Sequence, residues 1–385
     1  MKKMNFVIFF SIALSVYALI NYYIFIRGWQ AGGQNSSWRT VFVAMFLLLS
    51  LSYVVGRVLE RFALTWFSNA LVLLGSFWLA AMVYFLIFAF AIDILRLLNY
   101  FIPFFPRSFT LNPERTKEIT ALVVVGIVFC IVAAGYINAR TPRIRTLSLS
   151  IPKNGRSVKS LNIAVASDIH LGTIVCKSKL ERIVEQINSL EPDLVLLPGD
   201  VVDEDIGPVI RNNLGETLRK IKSKYGIVAI TGNHEYIGGV EPACKYLVEH
   251  GITMLRDSSI KIGDFLYVVG REDISIRGFT GKTRKPLPEL MSSVDKSYPI
   301  ILMDHQPFRL EEAEANGADL QLSGHTHHGQ LWPFNYITEK VYELSWGYRK
   351  KGNTHYYVSC GAGTWGPPIR TGNRPEIVNI RLTFD

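Results

Sequence analysis

Four long apolar segments lie in the first 140 residues of this 385-residue chain, and they limit the folds open to it. A helix of about 20 apolar residues crosses the hydrocarbon core of a bilayer, which is roughly 30 Å thick. Because backbone groups in lipid must bond within their own segment, we predict an all-α transmembrane region at 1–140. The predicted spans are residues 6–26, 40–57, 66–92 and 119–138.

The first apolar segment also has one feature of a secretory signal peptide, because Lys2 and Lys3 precede it. Its apolar stretch is too long for a signal peptide, and no small-residue cleavage site follows it. Lysine and arginine near the ends of an even number of spans favour both termini in the cytoplasm. We therefore expect a multi-pass membrane protein with a cytoplasmic C-terminal domain.

The chain carries 41 lysines and arginines against 32 aspartates and glutamates, a formal net charge of +9. Such an excess is typical of nucleic-acid binding, but also of segments that lie against anionic lipid head groups. The sequence has no basic run with interleaved aromatic residues, so we expect membrane lipids as partners and no nucleic acid. None of the four cysteines forms a C-x-x-C pair, which indicates free thiols.

A basic linker at 141–157 is predicted to join the membrane region to a soluble domain at 158–385. In this domain short apolar runs alternate with amphipathic segments, such as 177–190, whose apolar residues recur at helical spacing. That alternation is typical of a layered α/β fold. Within the apolar segments Asp93 and Arg96 stand three residues apart, and we interpret them as an ion pair at the membrane interface.

Five short polar motifs follow predicted strands of the soluble domain at the point where each strand ends. The motifs are Asp168-Ile-His170, Gly199-Asp200-Val-Val-Asp203, Gly232-Asn233-His234-Glu235, His305 and Gly324-His325-Thr-His327. The carboxyl ends of strands in open α/β sheets line one crevice, so we expect these side chains to converge. Each motif alone is a weak or moderate signal, whereas all five in order are not expected by chance.

The motif side chains offer carboxylate, amide and imidazole donors and no thiolate, a set that suits Mn, Fe or Zn. Two divalent ions side by side repel each other, and a bridging carboxylate offsets this repulsion. Asp200 is predicted to be that bridge, and the glycine before it permits a tight turn. Two such ions can activate water and clamp a phosphoryl group, so the motifs indicate hydrolysis of a phosphate ester.

A leaving alkoxide needs a proton, and His234 directly follows the predicted ligand Asn233. We predict that His234 supplies this proton and that Asp203 holds its tautomer.

Together the five motifs resemble those of the calcineurin-like metallophosphoesterase superfamily, over about residues 158–385. The resemblance implies a four-layer α-β-β-α sandwich of two mixed sheets, with two divalent metal ions. It implies that the first ion is held by Asp168, His170, Asp200 and His327. It implies that the second ion is held by Asp200, Asn233, His305 and His325. It also implies that His234 is the proton donor and that Asp203 orients it.

The stretch 324–330 resembles the membrane-associated bacterial branch of this superfamily, in which a glycine commonly stands at position 328. His328 departs from that pattern and is interpreted as either a substrate contact or a solvent-facing loop residue. The stretch 361–370 resembles the C-terminal loop of the same branch. Its last residue, Arg370, is interpreted as either a phosphate contact or a structural arginine at the surface.

Protein Ser/Thr phosphatases of the superfamily have arginines at the positions of Glu204 and Thr231, which argues against that activity here. We therefore predict a membrane-anchored phosphoesterase that cleaves a phosphodiester or diphosphate bond. The expected substrate is lipid-linked, such as a phospholipid or a molecule similar to UDP-2,3-diacylglucosamine. Two alternatives stay open: a non-catalytic scaffold on the same fold, and a regulatory domain of a membrane transporter or receptor.

Overall fold

The computed structural model describes residues 2–32, 36–153, 155–156 and 158–384. The chain divides into two compact units, Met1–Gly135 and Tyr136–Asp385. The first is helical and the second is α/β, as the sequence predicts.

Long apolar helices make up the N-terminal unit. They are α1 (Lys2–Ala31), α2 (Ser36–Phe62), α3 (Trp66–Phe101), the short α4 (Arg107–Leu111) and α5 (Pro113–Asn138). Among the described residues, four helical segments are long and apolar enough to cross a membrane: Ser11–Ala31, Ser37–Phe62, Trp66–Phe101 and Pro113–Asn138. These segments run past several predicted span ends, because a helix continues beyond its apolar part until a cap or a proline ends it. The helix α3 begins at the capping residue Thr65 and ends just before Pro103.

Close packing and a few polar pairs connect α1, α2 and α3. A Cβ atom at Gly75 would lie 2.2 Å from the backbone nitrogen of Tyr53, so glycine lets α2 and α3 approach closely. The carboxylate of Asp93 accepts hydrogen bonds from Tyr23, at 2.5 Å, and from Arg27. The predicted pair with Arg96 is longer, at 3.7 Å, so Asp93 is held mainly by α1.

Two six-stranded sheets form the centre of the second unit, Tyr136–Asp385. The first has the order β1-β12-β2-β3-β4-β5, with β1 (Arg143–Ile151), β2 (Ser160–Val165), β3 (Leu194–Leu197), β4 (Ile227–Ile230), β5 (Ile252–Leu255) and β12 (Glu376–Phe384). The second has the order β10-β11-β9-β8-β7-β6, with β6 (Ser258–Ile262), β7 (Leu266–Gly270), β8 (Ile300–Met303), β9 (Leu320–Ser323), β10 (Gly347–Lys351) and β11 (Thr354–Val358).

Helices connect the strands of this unit. They are α6 (Lys177–Ser189), α7 (Ile206–Arg211), α8 (Leu214–Leu218), α9 (Asn233–Gly238), α10 (Val240–Glu249), α11 (Ile276–Thr280), α12 (Leu287–Met291), α13 (Glu311–Asn316) and α14 (Asn335–Val341). One apolar core lies between the sheets and contains Leu196 and Leu322. A second core packs α6 on the first sheet, and a third packs α12 and α13 on the second. The predicted α-β-β-α sandwich is confirmed.

The segment predicted as a linker is partly a strand, so that prediction is wrong for 143–151. The strand β1 pairs in parallel with β12 over its whole length. Leu147, Leu149 and Ile151 alternate with polar residues and point toward the core between the sheets. The arginines at the start of this segment hid that alternation, because an edge strand tolerates charged side chains on its exposed part.

Candidate metal centre

The motif residues occupy loops that follow β2, β3, β4, β8 and β9, and these loops turn sharply. Five of the residues predicted as ligands have backbone φ angles in the left-handed region. They are Asp168 (50°), His170 (54°), Asp200 (52°), His325 (70°) and His327 (45°). Such a conformation costs about 1–3 kcal/mol for a residue with a side chain. The surrounding structure maintains this strain at the one place where the polar side chains meet.

Two glycines of the motifs allow these loops to approach one another. A Cβ atom at Gly324 would lie 2.2 Å from Asp168 Oδ2, and one at Gly232 would lie 2.1 Å from Asp200 Oδ1. Any other residue at either position would displace the carboxylate beside it.

The first cluster of donors consists of Asp168, His170 and His327, whose ligand atoms all lie within 4.8 Å of one another. His170 Nε2 is 2.9 Å from His327 Nε2, and His327 Nε2 is 3.6 Å from Asp168 Oδ1. Asp168 Oδ2 is buried and has no hydrogen-bond partner among the described residues. Two imidazole nitrogens that face each other beside such a carboxylate fit a divalent cation.

The second cluster consists of Asp200, His305 and His325, with Asn233 between the two imidazoles. Asn233 Oδ1 lies 3.2 Å from His305 Nε2 and 2.7 Å from His325 Nδ1. Burial and the neighbouring His305 lower the pKa of His325 to about 3. That ring therefore stays neutral, which is the form that binds metal.

Asp200 lies between the two clusters. Its Oδ2 is 3.1 Å from His305 Nε2 and 3.8 Å from His170 Nε2. Burial opposes its ionisation, but the imidazoles of His305 and His234 hold its pKa well below the ordinary value. A permanent carboxylate that faces both sets of donors fits the bridging role predicted from the sequence.

Further contacts hold the ligands in place. His305 Nδ1 lies 2.8 Å from the carbonyl oxygen of Pro198 and donates to it, so Nε2, which faces Asp200 and Asn233, is the nitrogen that would bind a cation. Glu235 accepts hydrogen bonds from the backbone nitrogens of Gly232 (2.8 Å), Val202 (2.9 Å) and Asp200 (3.2 Å). Glu235 thereby connects the loops after β3 and β4, a role that the sequence analysis missed.

Asp203 contacts the predicted proton donor. His234 Nδ1 lies 3.0 Å from Asp203 Oδ1, and His170 Nδ1 lies 3.3 Å from the same oxygen. Burial alone would lower the pKa of His234, but Asp200 and Asp203 raise it to about 9. These two carboxylates favour the protonated imidazole of His234, which is the form that a proton donor needs.

Arg370 is fully buried, so the surface position considered for it is wrong. Its Nη2 lies 3.1 Å from His327 Nδ1 and donates to the carbonyl oxygen of Gly363 at 2.9 Å. A guanidinium that contacts a candidate ligand and the backbone supports His327, whereas contact of Arg370 with phosphate stays a prediction. The neighbouring sequence is rich in glycine and proline and does not reveal this burial.

The solvent-facing position considered for His328 is also wrong, because its ring is buried. His328 Nδ1 lies 3.0 Å from Ser345 Oγ, and the ring packs against Trp346 with centroids 5.1 Å apart. His328 follows β9, whereas Ser345 and Trp346 come just before β10. A local sequence pattern does not show that these two segments lie side by side.

Besides Glu235, three further residues near the centre were missed from sequence. Asn373 Nδ2 donates to the carbonyl oxygens of His327 (2.7 Å) and His328 (3.1 Å). Asn138, the last residue of α5, donates to the carbonyl oxygen of Asn373 at 2.8 Å. Trp365 places its ring centroid 5.9 Å from that of His234. The only sequence signal for Trp365 is a large aromatic residue between two glycines in a loop.

Comparisons with known proteins agree with this centre. The family model for calcineurin-like phosphoesterases matches residues 161–329. A metallophosphoesterase of Helicobacter pylori strain J99 is 33% identical over 281 residues, which cover 70% of this chain and 73% of that protein. One of Campylobacter jejuni is 29% identical over 386 residues, which cover 98% of this chain and 99% of that protein.

A third relative connects this domain with a membrane. It is a transmembrane protein with a metallophosphoesterase domain from Danio rerio, 32% identical over 282 residues. The match covers 69% of this chain and 62% of that protein, which is less than two thirds of its length. Together with the four apolar helices, this likeness indicates that the chain associates with a membrane. The predicted resemblance is therefore confirmed, and the chain belongs to the calcineurin-like metallophosphoesterases, a family of metal-dependent phosphoesterases.

Proposed function

We propose that this protein is a membrane-anchored, two-metal enzyme that hydrolyses a phosphodiester or diphosphate bond. The observation that carries the proposal is the convergence of two donor clusters on one carboxylate, Asp200. One ion would be held by Asp168, His170, Asp200 and His327. The other would be held by Asp200, Asn233, His305 and His325. Oxygen and imidazole donors without thiolate support Mn, Fe or Zn.

When bound, two such ions supply positive charge for a phosphoryl group and lower the pKa of water. The protein itself supplies the proton for the leaving group. His234 Nδ1 faces Asp203 Oδ1 at 3.0 Å, so Nε2 is the atom that holds the transferable proton. Asp203 fixes the ring orientation and stabilises its protonated form. The proton passes from His234 Nε2 to the leaving oxygen as the ester bond breaks.

A lipid-linked substrate is the second part of the proposal. Four apolar helices in the same chain keep the second unit, Tyr136–Asp385, which we call the catalytic unit, at a bilayer. This raises the effective concentration of a substrate anchored there. Trp365 is about half exposed and lies beside His234, so it offers an apolar contact close to the leaving group. A protein substrate is less well supported, because Thr231 is buried and bonded to Glu272 where a protein phosphatase has an arginine.

The catalytic test uses the full-length protein in detergent, treated with a chelator and then loaded with Mn²⁺, Zn²⁺ or Fe²⁺. We expect metal-dependent hydrolysis of bis-p-nitrophenyl phosphate and of at least one lipid phosphoester. Asn233→Ala and His234→Ala are expected to abolish most of this activity. The control is His250→Ala, which changes an imidazole on the outer helix layer and leaves the activity in place.

Two results would contradict this function. Metal binding well below one ion per chain would favour a non-catalytic scaffold on the same fold. Full turnover in the double variant Asn233→Ala and His234→Ala would show that this centre does not catalyse the reaction. Hydrolysis of the soluble ester without hydrolysis of any lipid ester would contradict only the lipid-linked substrate.

We further propose that the catalytic unit faces the cytoplasm of a bacterial cell, since lysine and arginine near the predicted span ends support that orientation. Cys176 is exposed and provides a test through a membrane-impermeant thiol reagent. We expect labelling only after the membrane is permeabilised. Labelling of Cys176 in intact cells would contradict this orientation.

A further inference from the structure

Two loops of the catalytic unit expose large apolar side chains, which we call the aromatic patch. Its members are Trp332 (47% exposed), Phe334 (39%), Tyr336 (55%), Ile337 (57%) and Trp365 (52%). The helix α14, which carries two of them, has no buried residue. Exposed apolar side chains that are grouped, rather than scattered, mark a surface that another apolar body covers.

Hydrogen bonds hold the two loops of the patch against each other. Gln330 Nε2 donates to the carbonyl oxygen of Trp365 at 2.8 Å, and Gln330 Oε1 accepts from its backbone nitrogen at 3.0 Å. The backbone nitrogen of Trp332 donates to Thr371 Oγ1 at 3.0 Å. The two loops therefore lie side by side, and Trp365 places the patch next to His234, whose ring centroid is 5.9 Å from that of Trp365.

The end of the last apolar helix lies on the same loop as Thr371. The helix α5 ends at Asn138, and its final residues belong to the catalytic unit. Asn138 Nδ2 donates to the carbonyl oxygens of Arg370 (2.9 Å) and Asn373 (2.8 Å). Since α5 is apolar up to Ile137, the chain leaves the hydrocarbon close to this point. The patch thus adjoins the place where the catalytic unit is attached to the bilayer.

Basic side chains surround the same attachment point. Arg182 donates to the carbonyl oxygen of Arg140 at 3.4 Å, and Arg374 donates to that of Thr141 at 3.2 Å. Cationic side chains beside the exit of a membrane helix attract anionic head groups. Tryptophan and tyrosine rings settle at the level of those head groups, with an apolar body and a polar edge.

We propose that the aromatic patch inserts into the head-group region of an anionic bilayer. Substrate then enters the metal centre from the plane of the membrane, along the side where Trp365 meets His234. Insertion of the patch rests on the membrane spans alone, whereas the entry of substrate from the membrane also rests on the proposed function. A second copy of the chain or a partner protein on the patch would be an alternative occupant, and the test separates these cases.

The test measures depth in the bilayer with the full-length protein in nanodiscs of phosphatidylethanolamine and phosphatidylglycerol. Exposed Cys130 and Cys176 are first replaced by serine, and Trp332→Cys or Tyr336→Cys is labelled with a small fluorophore. The control is Val248→Cys, which is 55% exposed on α10. We expect spin-labelled lipids to quench the two patch positions at least about twofold more strongly than the control.

Equal quenching at all three positions would overturn the proposal. So would shielding of the patch positions that depends on protein concentration rather than on lipid, because a second copy would then cover the patch. A second measurement uses Trp332→Ser with Tyr336→Ser, which should lower kcat/KM on a lipid phosphoester about fivefold or more and leave bis-p-nitrophenyl phosphate unaffected. Strong quenching in a protein without hydrolysis would refute the proposed function alone.

Discussion

Both units of this protein bury polar side chains, but the buried groups do different things. In the helical unit polar side chains pair between helices: Trp78 Nε1 donates to Asn21 Oδ1 at 2.9 Å, and the partly exposed Arg27 pairs with Asp93. In the catalytic unit His170 and His327 direct two nitrogens at each other, 2.9 Å apart. Polar groups that satisfy one another hold helices together, whereas donors that converge create a site for a cation at a cost in stability.

The sharpest test of this difference is the removal of the shared carboxylate. Asp200→Ala should lower activity by about 10³-fold, the upper end for loss of one charge-stabilising group in an active site. It should also reduce the metal content measured by mass spectrometry, because both clusters lose a ligand. Circular dichroism should show that the catalytic unit of this variant stays folded. Unfolding of the variant would contradict the difference drawn between the two units.

The next largest effect is expected from the hydrogen bonds that hold the loop of His327. Asn373→Ala removes two hydrogen bonds to the loop of His327 and should weaken metal affinity by about 10–100-fold. Titration with Zn²⁺ or Mn²⁺ measures this directly. The control is Asn316→Ala, which loses a similar bond to a backbone carbonyl, that of Glu312, at 2.8 Å. Equal weakening by both variants would mean that the effect is not specific to the metal centre.

A paired polar group of the helical unit should behave in the opposite way. Asp93→Leu leaves Arg27 without its partner and should destabilise the helices by about 1–2 kcal/mol, with activity on a soluble ester unchanged. Thermal unfolding in detergent, followed by circular dichroism, measures the loss. The control Arg96→Leu should have less effect, because its ion pair is longer at 3.7 Å. Loss of catalysis in Asp93→Leu would contradict the division of roles.

The smallest expected effect concerns Lys179 of the catalytic unit, whose burial lowers the stability of the fold in a pH-dependent way. Burial, and then the charge of Arg370, lower the pKa of its ammonium group from 10.5 to about 7. Between these values the unfolded chain binds more protons, so stability rises with pH across that window. Lys179→Met should therefore gain most stability over the natural protein below pH 7, and the gain should vanish toward pH 10.5.

Urea unfolding at several pH values measures this slope. The control Thr364→Val removes the 3.1 Å hydrogen bond from Lys179 Nζ but keeps the lysine, so its slope should match that of the natural protein. An unchanged slope in Lys179→Met would show that this ammonium group does not titrate in the window.

The structure was predicted better from the five motifs than from the segments between them. Asp168, Asp200 and His325 were placed correctly at strand ends, because an apolar run followed by a polar turn is a local signal. The strand β1 was missed because its pairing with β12 joins segments more than 200 residues apart in the chain. For Arg370 and His328 a position at the surface was one of two interpretations, but both residues are buried. Their burial depends on loops from elsewhere in the chain, which the local sequence does not show.

By itself the sequence determined the four apolar helices, the layered α/β fold and the set of donors, because each depends on patterns within about 30 residues. Only the tertiary structure decided which groups contact those donors and hold them in place. It buried Arg370 against His327, brought Asn373 beneath the same loop, and attached the end of α5 there through Asn138. These contacts join distant segments, and only packing of the two sheets and their loops brings such segments within hydrogen-bond distance.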